Sequence, residues 1–306
     1  MNVSTYTSLE IKDFAAFTWD EFRYSNKLQQ IPMNVTTSLD HTASLAGYVI
    51  HLQSNCEITI STTENDFISL MFLEGTAYIN HFAFGDDWLS CNPTSLDSSG
   101  NSPFLVRIKG PFSFRLRAKN NVYVHLSSRA LVDVTKQAVG PKGGISQVVS
   151  EDIVDLRYIN ARYSKSSVHS AVPIFSISPK GLDHLKSHTD SSEQKRYRLN
   201  LHDSASELHQ DMIIAFMQQT SVPCSRHRDK DEVIIVLSGT IQVNLFNSEL
   251  LKIRSINLSS GNYCEPSIVF IPRGLIHSFE FLSPFVVTRE ITTGPFRPEL
   301  TEVFHL

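Results

Sequence analysis

Two histidines and one glutamate in the last third of the 306-residue chain have the residue types and spacing of a metal site. Glu232 follows His227 by five residues, and His277 follows Glu232 by 45 residues. Two neutral imidazoles and one carboxylate that converge from different strands can hold a divalent ion and leave positions open for water or substrate. The sequence therefore predicts a metal centre formed by His227, Glu232 and His277.

Strands are expected to carry these side chains, because the surrounding sequence consists of short apolar runs separated by turn residues. In the second half the runs include 233–237, 241–246, 268–271 and 286–291, and similar runs fill the segment from about 35 to 134. Short strands at regular spacing are typical of a sandwich or barrel. Residues two apart on a strand share a face, so Ser225 and His227 are both expected to point into the barrel.

The two halves of the chain share a pattern at an offset of 164 residues. Residues 73–79 read Leu-Glu-Gly-Thr-Ala-Tyr-Ile, and residues 237–243 read Leu-Ser-Gly-Thr-Ile-Gln-Val. A second glycine of each half, Gly110 and Gly274, also aligns at this offset. A shared Gly-Thr turn within an apolar frame indicates a duplicated β unit.

The metal ligands are confined to the second unit. At the same offset, Thr63, Ile68 and Ser113 stand in the positions of His227, Glu232 and His277. None of the three is a usual metal ligand. We therefore expect the first unit to have a packing, homodimerising or ligand-holding role.

Two segments of the second half resemble the motifs of the cupin superfamily. Residues 272–277 read Pro-Arg-Gly-Leu-Ile-His and meet its Pro-x-Gly-x-x-His motif in full. His227, Glu232 and Gly239 meet most of the other motif, which reads His-x-His, three or four residues, Glu, and a later Gly. The resemblance implies a cupin barrel with a metal site in the second half and a degenerate cupin-like barrel in the first, which makes the chain a bicupin.

From about Phe175 onward the chain more closely resembles the WbuC-type cupin metalloproteins. The resemblance includes a short helix like residues 182–186, a Tyr-Arg-Leu-Asn-Leu-His segment at 197–202 and a Gly-Pro-Phe stretch at 294–296. It implies a place in bacterial surface-polysaccharide metabolism. It also implies that Asn200 and His202 approach the pocket, although a capping or turn role suits both residues equally well.

One position departs from the superfamily pattern, because Ser225 stands where the family has a histidine. The resemblance then implies three ligands for Fe(II), Mn(II), Zn(II) or Ni(II), and a hydroxyl is a weak fourth ligand. Two histidines and one carboxylate hold Fe(II) in many oxygenases, so a metal site remains the favoured interpretation. The alternatives are a pocket without metal, or replacement of the missing ligand by Cys224 or Asp229.

Other side chains on the same strands are candidates for the substrate pocket. Phe279 and Phe281 share the parity of His277, so they line either the pocket wall or the core. Strand alternation requires that one of Arg289 and Glu290 faces inward. Arg289 could orient an anionic substrate there, and the alternative is an ion pair at a strand edge.

The predicted fold class is mainly β, with two cupin-type double-stranded β-helix (jelly-roll) barrels and a few short flanking helices. The expected domains are a degenerate barrel at 1–144, a linker with a short helix at 145–172, and a WbuC-type barrel at 173–306. A capping Ser150 begins the linker helix, and Pro179 begins a second helix.

Composition excludes some partners. The chain has 27 basic and 31 acidic residues and therefore a net charge of −4, which favours neither nucleic acid nor a basic membrane-surface patch. No apolar run is long enough for a membrane span, no secretory signal begins the chain, and the four cysteines form no CxxC pair. We expect a cytoplasmic protein with a small-molecule ligand. It is either a metal-dependent enzyme, such as an oxygenase or isomerase, that acts on a small polar or sugar-derived substrate, or a non-enzymatic binding or regulatory module.

Overall fold

The fold was analysed in a computed structural model. The structure describes residues 15–17, 32–36, 44–52, 54, 57–62, 67–84, 87–97, 104–109, 112–128, 133–136, 151–152, 162–163, 167–169, 174–177, 179–260 and 267–305.

Twelve strands lie between residues 15 and 152. They are β1 (Ala15–Phe17), β2 (Pro32–Thr36), β3 (Ser44–Leu52), β4 (Glu57–Thr62), β5 (Phe67–Glu74), β6 (Thr76–Phe84), β7 (Asp87–Asp97), β8 (Leu105–Lys109), β9 (Phe112–Ala118), β10 (Val122–Ser128), β11 (Asp133–Lys136) and β12 (Glu151–Asp152).

In the described part of the chain after residue 152, thirteen strands and two helices follow. They are β13 (Arg162–Tyr163), β14 (Ser167–His169), β15 (Ile174–Ile177), α1 (Pro179–Ser191), β16 (Arg196–Asn200), β17 (His209–Met217), β18 (Cys224–His227), β19 (Glu232–Ser238), β20 (Thr240–Phe246), β21 (Lys252–Ser259), β22 (Ile268–Ile271), β23 (Ile276–Phe281), β24 (Phe285–Thr293), a 3-10 helix (Pro298–Leu300) and β25 (Thr301–Phe304).

Each half of the chain forms a barrel from two facing sheets. The first barrel has the sheets β12-β15-β8-β5-β10-β3-β2 and β11-β4-β9-β6-β7. The second has β1-β22-β19-β24-β17-β16-β14-β13 and β21-β20-β23-β18-β25. The predicted class, mainly β with two cupin-type barrels and few helices, is therefore confirmed.

The strand order reveals how far the internal repeat extends. When 164 is added to the residue numbers, β2 to β6 and β8 to β10 fall on β16 to β20 and β22 to β24. Gly75 joins β5 to β6 and Gly239 joins β19 to β20, and the two have nearly the same positive φ, +83° and +82°. A side chain on Gly239 would bring its Cβ within 2.6 Å of the Phe285 carbonyl oxygen, so both backbone shape and space require glycine here.

Apolar side chains fill the inside of both barrels. The first core is formed by strands of its two sheets and includes Ile68 and Phe114, which are fully buried. The second core includes Met212, Ile214 and Ile234 from one sheet and the residues Ile241, Val243, Leu245 and Phe281 from the other. Alternate residues of each strand therefore point into the barrel, as the period-two pattern predicts.

A third core lies between the barrels. It joins Met71 and Leu105 of the first barrel to the outward face of the second, which includes Ile213, Ile235 and Val287. Helix α1 contributes Leu185 to this contact. The outward face of β17, β19 and β24 is therefore apolar because it packs against the other barrel.

Two short strands cross between the halves. β15 pairs with β8 of the first barrel, and β1 pairs with β22 of the second. The first barrel thus takes β15 from the segment that precedes the second barrel. The second barrel takes β1 from the segment that precedes the first barrel. The domain boundaries 1–144, 145–172 and 173–306 stay a prediction.

The helices were predicted with mixed success. The helix expected at Pro179 is present as α1, with proline at its first position. The linker helix expected from Ser150 stays a prediction, although Glu151–Asp152 at its start is a strand that pairs with β15. Residues 153–161 lie outside the described part of the chain. Among the described residues, no helix is long and apolar enough to cross a lipid bilayer.

Candidate metal centre

Three strands bring the predicted metal ligands together inside the second barrel. His227 ends β18, Glu232 begins β19, and His277 lies on β23. Their ligand atoms all lie within 4.8 Å of one another, and both His277 and Glu232 are buried. The backbone N–H of Gly274 donates to the His227 carbonyl oxygen at 2.7 Å, which ties the two motif segments to each other.

The histidine rings point their Nε2 atoms at the two oxygens of one carboxylate. Nε2 of His277 is 3.1 Å from Oε2 of Glu232, and Nε2 of His227 is 3.4 Å from Oε1. Nδ1 of His277 lies 3.0 Å from the Leu275 carbonyl oxygen. A carbonyl oxygen only accepts, so Nδ1 carries a proton and Nε2 is the ring nitrogen that faces the carboxylate. This donor set fits a cation placed between the rings and the carboxylate.

The other ring is oriented in a similar way. Nδ1 of His227 is 3.0 Å from Oγ1 of Thr301, a residue of the neighbouring strand β25. Burial lowers the pKa of His227 to about 4, although Glu232 acts to raise it. His227 is therefore neutral at pH 7, which is the form that binds metals.

The carboxylate stays ionised in this buried position. Burial acts to raise the pKa of Glu232, but the Lys230 ammonium and the two histidines outweigh it and hold the pKa well below its usual range. A buried, ionised carboxylate beside two imidazole rings attracts a divalent ion, which the Nε2 atoms bind when they carry no proton.

Ser225 lies next to the centre, where the superfamily has a histidine. It pairs with His277 across β18 and β23 and is half-buried. Neither proposed substitute takes its place. Cys224 packs outside the barrel against Phe246 and Ile276, and Asp229 accepts a hydrogen bond from Nε of Arg297 at 3.0 Å.

Lys230 is a charged residue at the centre that sequence reasoning missed. Its Nζ is 2.8 Å from Oε1 of Glu232 and 4.0 Å from Oε1 of Glu290. Burial acts to lower the pKa of Lys230, but the two carboxylates outweigh it and the pKa is raised, so the amine is protonated at neutral pH. The charged run from 226 to 232 resembles a solvated turn, and its sequence alone does not reveal that Lys230 folds back into the barrel.

Glu290, not Arg289, faces the inside of the second barrel. It pairs with Met212 and Ile234, which belong to the inner core. Burial raises the pKa of Glu290, and the nearby charge of Glu232 raises it further. Strand alternation predicted that one of residues 289 and 290 would face inward, and the core residues beside them identify which one does.

Arg289 must be removed from the set of pocket residues. It points to the opposite face of β24, where its Nε and Nη2 donate to the two carboxylate oxygens of Asp211 at 3.0 and 2.6 Å. Nη2 also donates to Ser69 of the first barrel at 2.7 Å. Both charged side chains are 0% exposed, so this ion pair is buried between the barrels and does not lie at a strand edge.

The remaining predicted pocket residues lie in different surroundings. Phe279 is half-buried with its ring 5.4 Å from the His277 ring, edge to face, whereas Phe281 stacks on Phe216 in the core at 4.3 Å. Asn200 is buried on β16 and pairs with Met212, which places it on the inner face. His202 lies beyond the end of β16, and its Nδ1 is 2.9 Å from the Asp211 carbonyl oxygen. Pocket roles for Asn200, His202 and Phe279 stay predictions.

The first barrel has no equivalent centre among the residues that the structure describes. Ile68, the counterpart of Glu232, is fully buried in an apolar core. Ser113 takes the position of His277 on β9, and residue 63 lies outside the described part. Apolar packing has thus replaced the ligands at the equivalent place.

Comparisons with known proteins agree with the fold. A family model described as a domain of unknown function, DUF6016, matches residues 177–258. No curated protein matches the chain by sequence.

Two solved structures resemble the whole chain at low sequence identity. The cupin 2 conserved barrel domain protein from Leptotrichia buccalis has a TM-score of 0.51 and 11% identity, with 92% of this chain and 96% of that chain covered. A variant of salicylate 1,2-dioxygenase from Pseudoaminobacter salicylatoxidans has a TM-score of 0.58 and 9% identity, with coverage of 95% and 87%.

Fold and site together define a class of protein. The chain has the cupin fold, and its second barrel contains a histidine–glutamate–histidine cluster that could hold a metal ion. At these identities the likeness extends to the fold alone, because one fold supports many unrelated activities.

Proposed function

We propose that the protein binds one divalent metal ion in its second barrel and uses it as an enzyme acting on a small polar substrate. The observation that carries the proposal is the convergence of two oriented imidazoles and one ionised carboxylate within 4.8 Å. Such a site suits Fe(II), Mn(II), Zn(II) or Ni(II). His227, Glu232 and His277 would hold the ion, and Thr301 and Leu275 would orient the two rings.

The chemistry of such a site follows from its ligands. A bound divalent ion polarises substrate oxygens, and a redox-active one also supports oxidation. Three protein ligands leave room for substrate oxygens beside Ser225. Phe279 packs against His277, and Lys230 and Glu290 supply charged groups next to the ligands. An oxygenase or an isomerase fits this arrangement.

A sugar-derived substrate and a setting in bacterial surface-polysaccharide metabolism belong to the same proposal. They are supported by the resemblance of residues from about 175 onward to WbuC-type proteins. The fold neighbours add no support for the substrate, since their likeness is one of fold.

A second candidate function is a non-enzymatic binding or regulatory module. Two observations favour it: Ser225 replaces a histidine ligand, and Lys230 already neutralises Glu232. In that case the second barrel would recognise a small ligand without turning it over.

Metal titration of the full chain tests the proposal. We expect protein purified without a metal-affinity tag to take up about one equivalent of Fe(II), Mn(II), Zn(II) or Ni(II), measured by elemental analysis after removal of free ion. Uptake below about a tenth of an equivalent for all four ions would overturn the metal-enzyme proposal and leave the binding module.

Replacement of Lys230 with Met should tighten metal binding by about 10- to 100-fold, because a divalent ion at Glu232 must compete with the ammonium group at that carboxylate. The measurement is isothermal titration of metal-free protein with Zn(II). K230R keeps the charge and should bind Zn(II) like the wild type, and so should K252M, which removes an exposed lysine on β21. Weaker Zn(II) binding by K230M would contradict this interpretation and make Lys230 a stabiliser of the site.

A further inference from the structure

A row of charged side chains crosses the inner face of the second barrel beside the metal centre. Glu290 lies on β24, next to Lys230 and Glu232. Arg198 lies on β16 and pairs with Ile214, an inner-core residue of β17. Residues that pair directly across antiparallel strands share a face, so Arg198 also points inward. Arg198 and Glu290 therefore both face the interior of the barrel that holds Lys230 and the candidate metal ligands, with Arg198 one inward-facing position further along the strands than Glu290.

Arg198 is within electrostatic reach of the centre. Its positive charge acts to lower the pKa of Glu290, against burial and Glu232, which raise it. The same charge acts on the Lys230 ammonium. The guanidinium group therefore belongs to the pocket and not to the contact between the barrels.

Arg198 has an unused hydrogen-bonding face. Its Nε is buried and has no hydrogen-bond partner among the residues that the structure describes. In the same part of the chain, no carboxylate lies within ion-pair distance of it, in contrast to the bidentate pair of Arg289 with Asp211. The residue as a whole is half-buried. A buried guanidinium nitrogen without a partner carries a desolvation cost that a bound anion would offset.

The charges of the pocket indicate the sign of its ligand. Arg198 and Lys230 are balanced by Glu232 and Glu290, and Arg196, which pairs with the inner-core residue Phe216, adds one positive charge on the same face. A divalent ion at the centre therefore leaves three surplus positive charges. A small anion between Arg198 and the metal centre would reduce this surplus.

We propose that the ligand of this pocket is a small hydroxycarboxylate whose carboxylate group is bound by Arg198 and faces Lys230, while its hydroxyl oxygen points to the metal centre. The planar guanidinium matches a carboxylate in shape and charge. This inference rests on the proposed metal-dependent function and specifies its substrate class as an acid. Sugar acids belong to that class.

Glycolate and ethylene glycol form a matched pair of probes, since they differ by one carboxylate. We expect glycolate to bind the Zn(II)-loaded full chain in isothermal titration and ethylene glycol to give no signal. R198M should weaken glycolate binding about 10-fold or more while it changes Zn(II) affinity by less than about twofold. R198K should lie between R198M and the wild type, and R117M, which removes an exposed arginine of the first barrel, should behave like the wild type.

The effects of Lys230 separate the two proposals. K230M should weaken glycolate binding and tighten Zn(II) binding, whereas general damage to the pocket would weaken both. Equal glycolate affinity of R198M and wild type, or binding of inorganic phosphate but not glycolate, would overturn the hydroxycarboxylate assignment. If the chain takes up no metal, the proposed function fails, and glycolate titration of the metal-free protein with and without R198M then decides the acid subsite by itself.

Discussion

His277→Ala should lower the affinity for Zn(II) by at least about a hundredfold, because it removes one of only three strong ligands. His277 is 2% exposed and its Nε2 is 3.1 Å from Glu232, so no exposed side chain can take over its place. A ligand that binds only the folded state raises the unfolding temperature, and a tighter ligand raises it more at the same concentration. The wild type should therefore gain thermal stability on addition of Zn(II), and H277A should lose most of that response.

Ser225 provides the matched control, because it pairs with His277 across the same two strands. S225A should change Zn(II) affinity by less than about twofold, since a neutral hydroxyl is a weak ligand. S225H should tighten binding by supplying a third imidazole, and with it a fourth ligand. An unchanged thermal response to Zn(II) in H277A would refute the ligand assignment, and a large loss in S225A would make the hydroxyl a real ligand.

Replacement of Arg289 with Met should destabilise the protein by about 3–5 kcal/mol, because it leaves the carboxylate of Asp211 buried and without its cation. Asp211 is 0% exposed and accepts from Arg289 and Ser69, so water cannot replace the lost partner. Urea unfolding followed by circular dichroism measures the change in the free energy of unfolding. R297M removes an arginine that is 48% exposed, and this control should cost no more than about 1 kcal/mol.

Acid pH gives a second readout of the same ion pair. Burial acts to raise the pKa of Asp211, but Arg289 outweighs it and the pKa is lowered. A carboxyl group whose pKa is lower in the folded state than in the unfolded state stabilises the folded protein at pH values above its unfolded pKa, which is about 3.9 for Asp. This stabilisation is lost as the pH falls from that unfolded pKa towards the folded-state pKa. The wild type should therefore lose more stability than R289M between about pH 6 and pH 3.

A double variant tests whether the penalty comes from an unpaired charge. D211L/R289M replaces both partners with apolar groups and should recover most of the stability that R289M loses. Destabilisation by R289M equal to that of R297M would contradict a structural role for the pair between the barrels.

Local patterns were sufficient to predict the candidate ligand cluster and the duplicated unit. His227, Glu232 and His277 are recognisable because their segments resemble the two cupin motifs, and strand alternation adds only the face on which each residue lies. The Gly-Thr turns at 75–76 and 239–240 are recognisable because a positive φ and a crowded backbone leave glycine as the suitable residue. Because the two halves repeat at an offset of 164 residues, the strands of both barrels follow one another in the same order along the chain.

Side chains with two plausible environments could not be assigned in the same way. Alternation places Arg289 and Glu290 on opposite faces, but both faces of β24 are buried, one by the barrel interior and the other by the first barrel. The charged run around Lys230 has the composition of an exposed turn. Its burial depends on where β18 and β19 end in space.

The sequence alone predicts two β units, a set of candidate metal ligands in the second unit and a serine, Ser225, where the cupin motif has a histidine. The tertiary structure was needed to place Lys230 and Glu290 beside those candidate ligands, to turn Arg198 towards the barrel interior and to pair Arg289 with Asp211 between the barrels. The physical reason is that periodicity specifies the face of a strand on which a residue lies, whereas the charge balance of a pocket depends on what packs against that face. The residues that pack against a strand face lie far away in the chain, as Ser69 of the first barrel does when it accepts a hydrogen bond from Arg289.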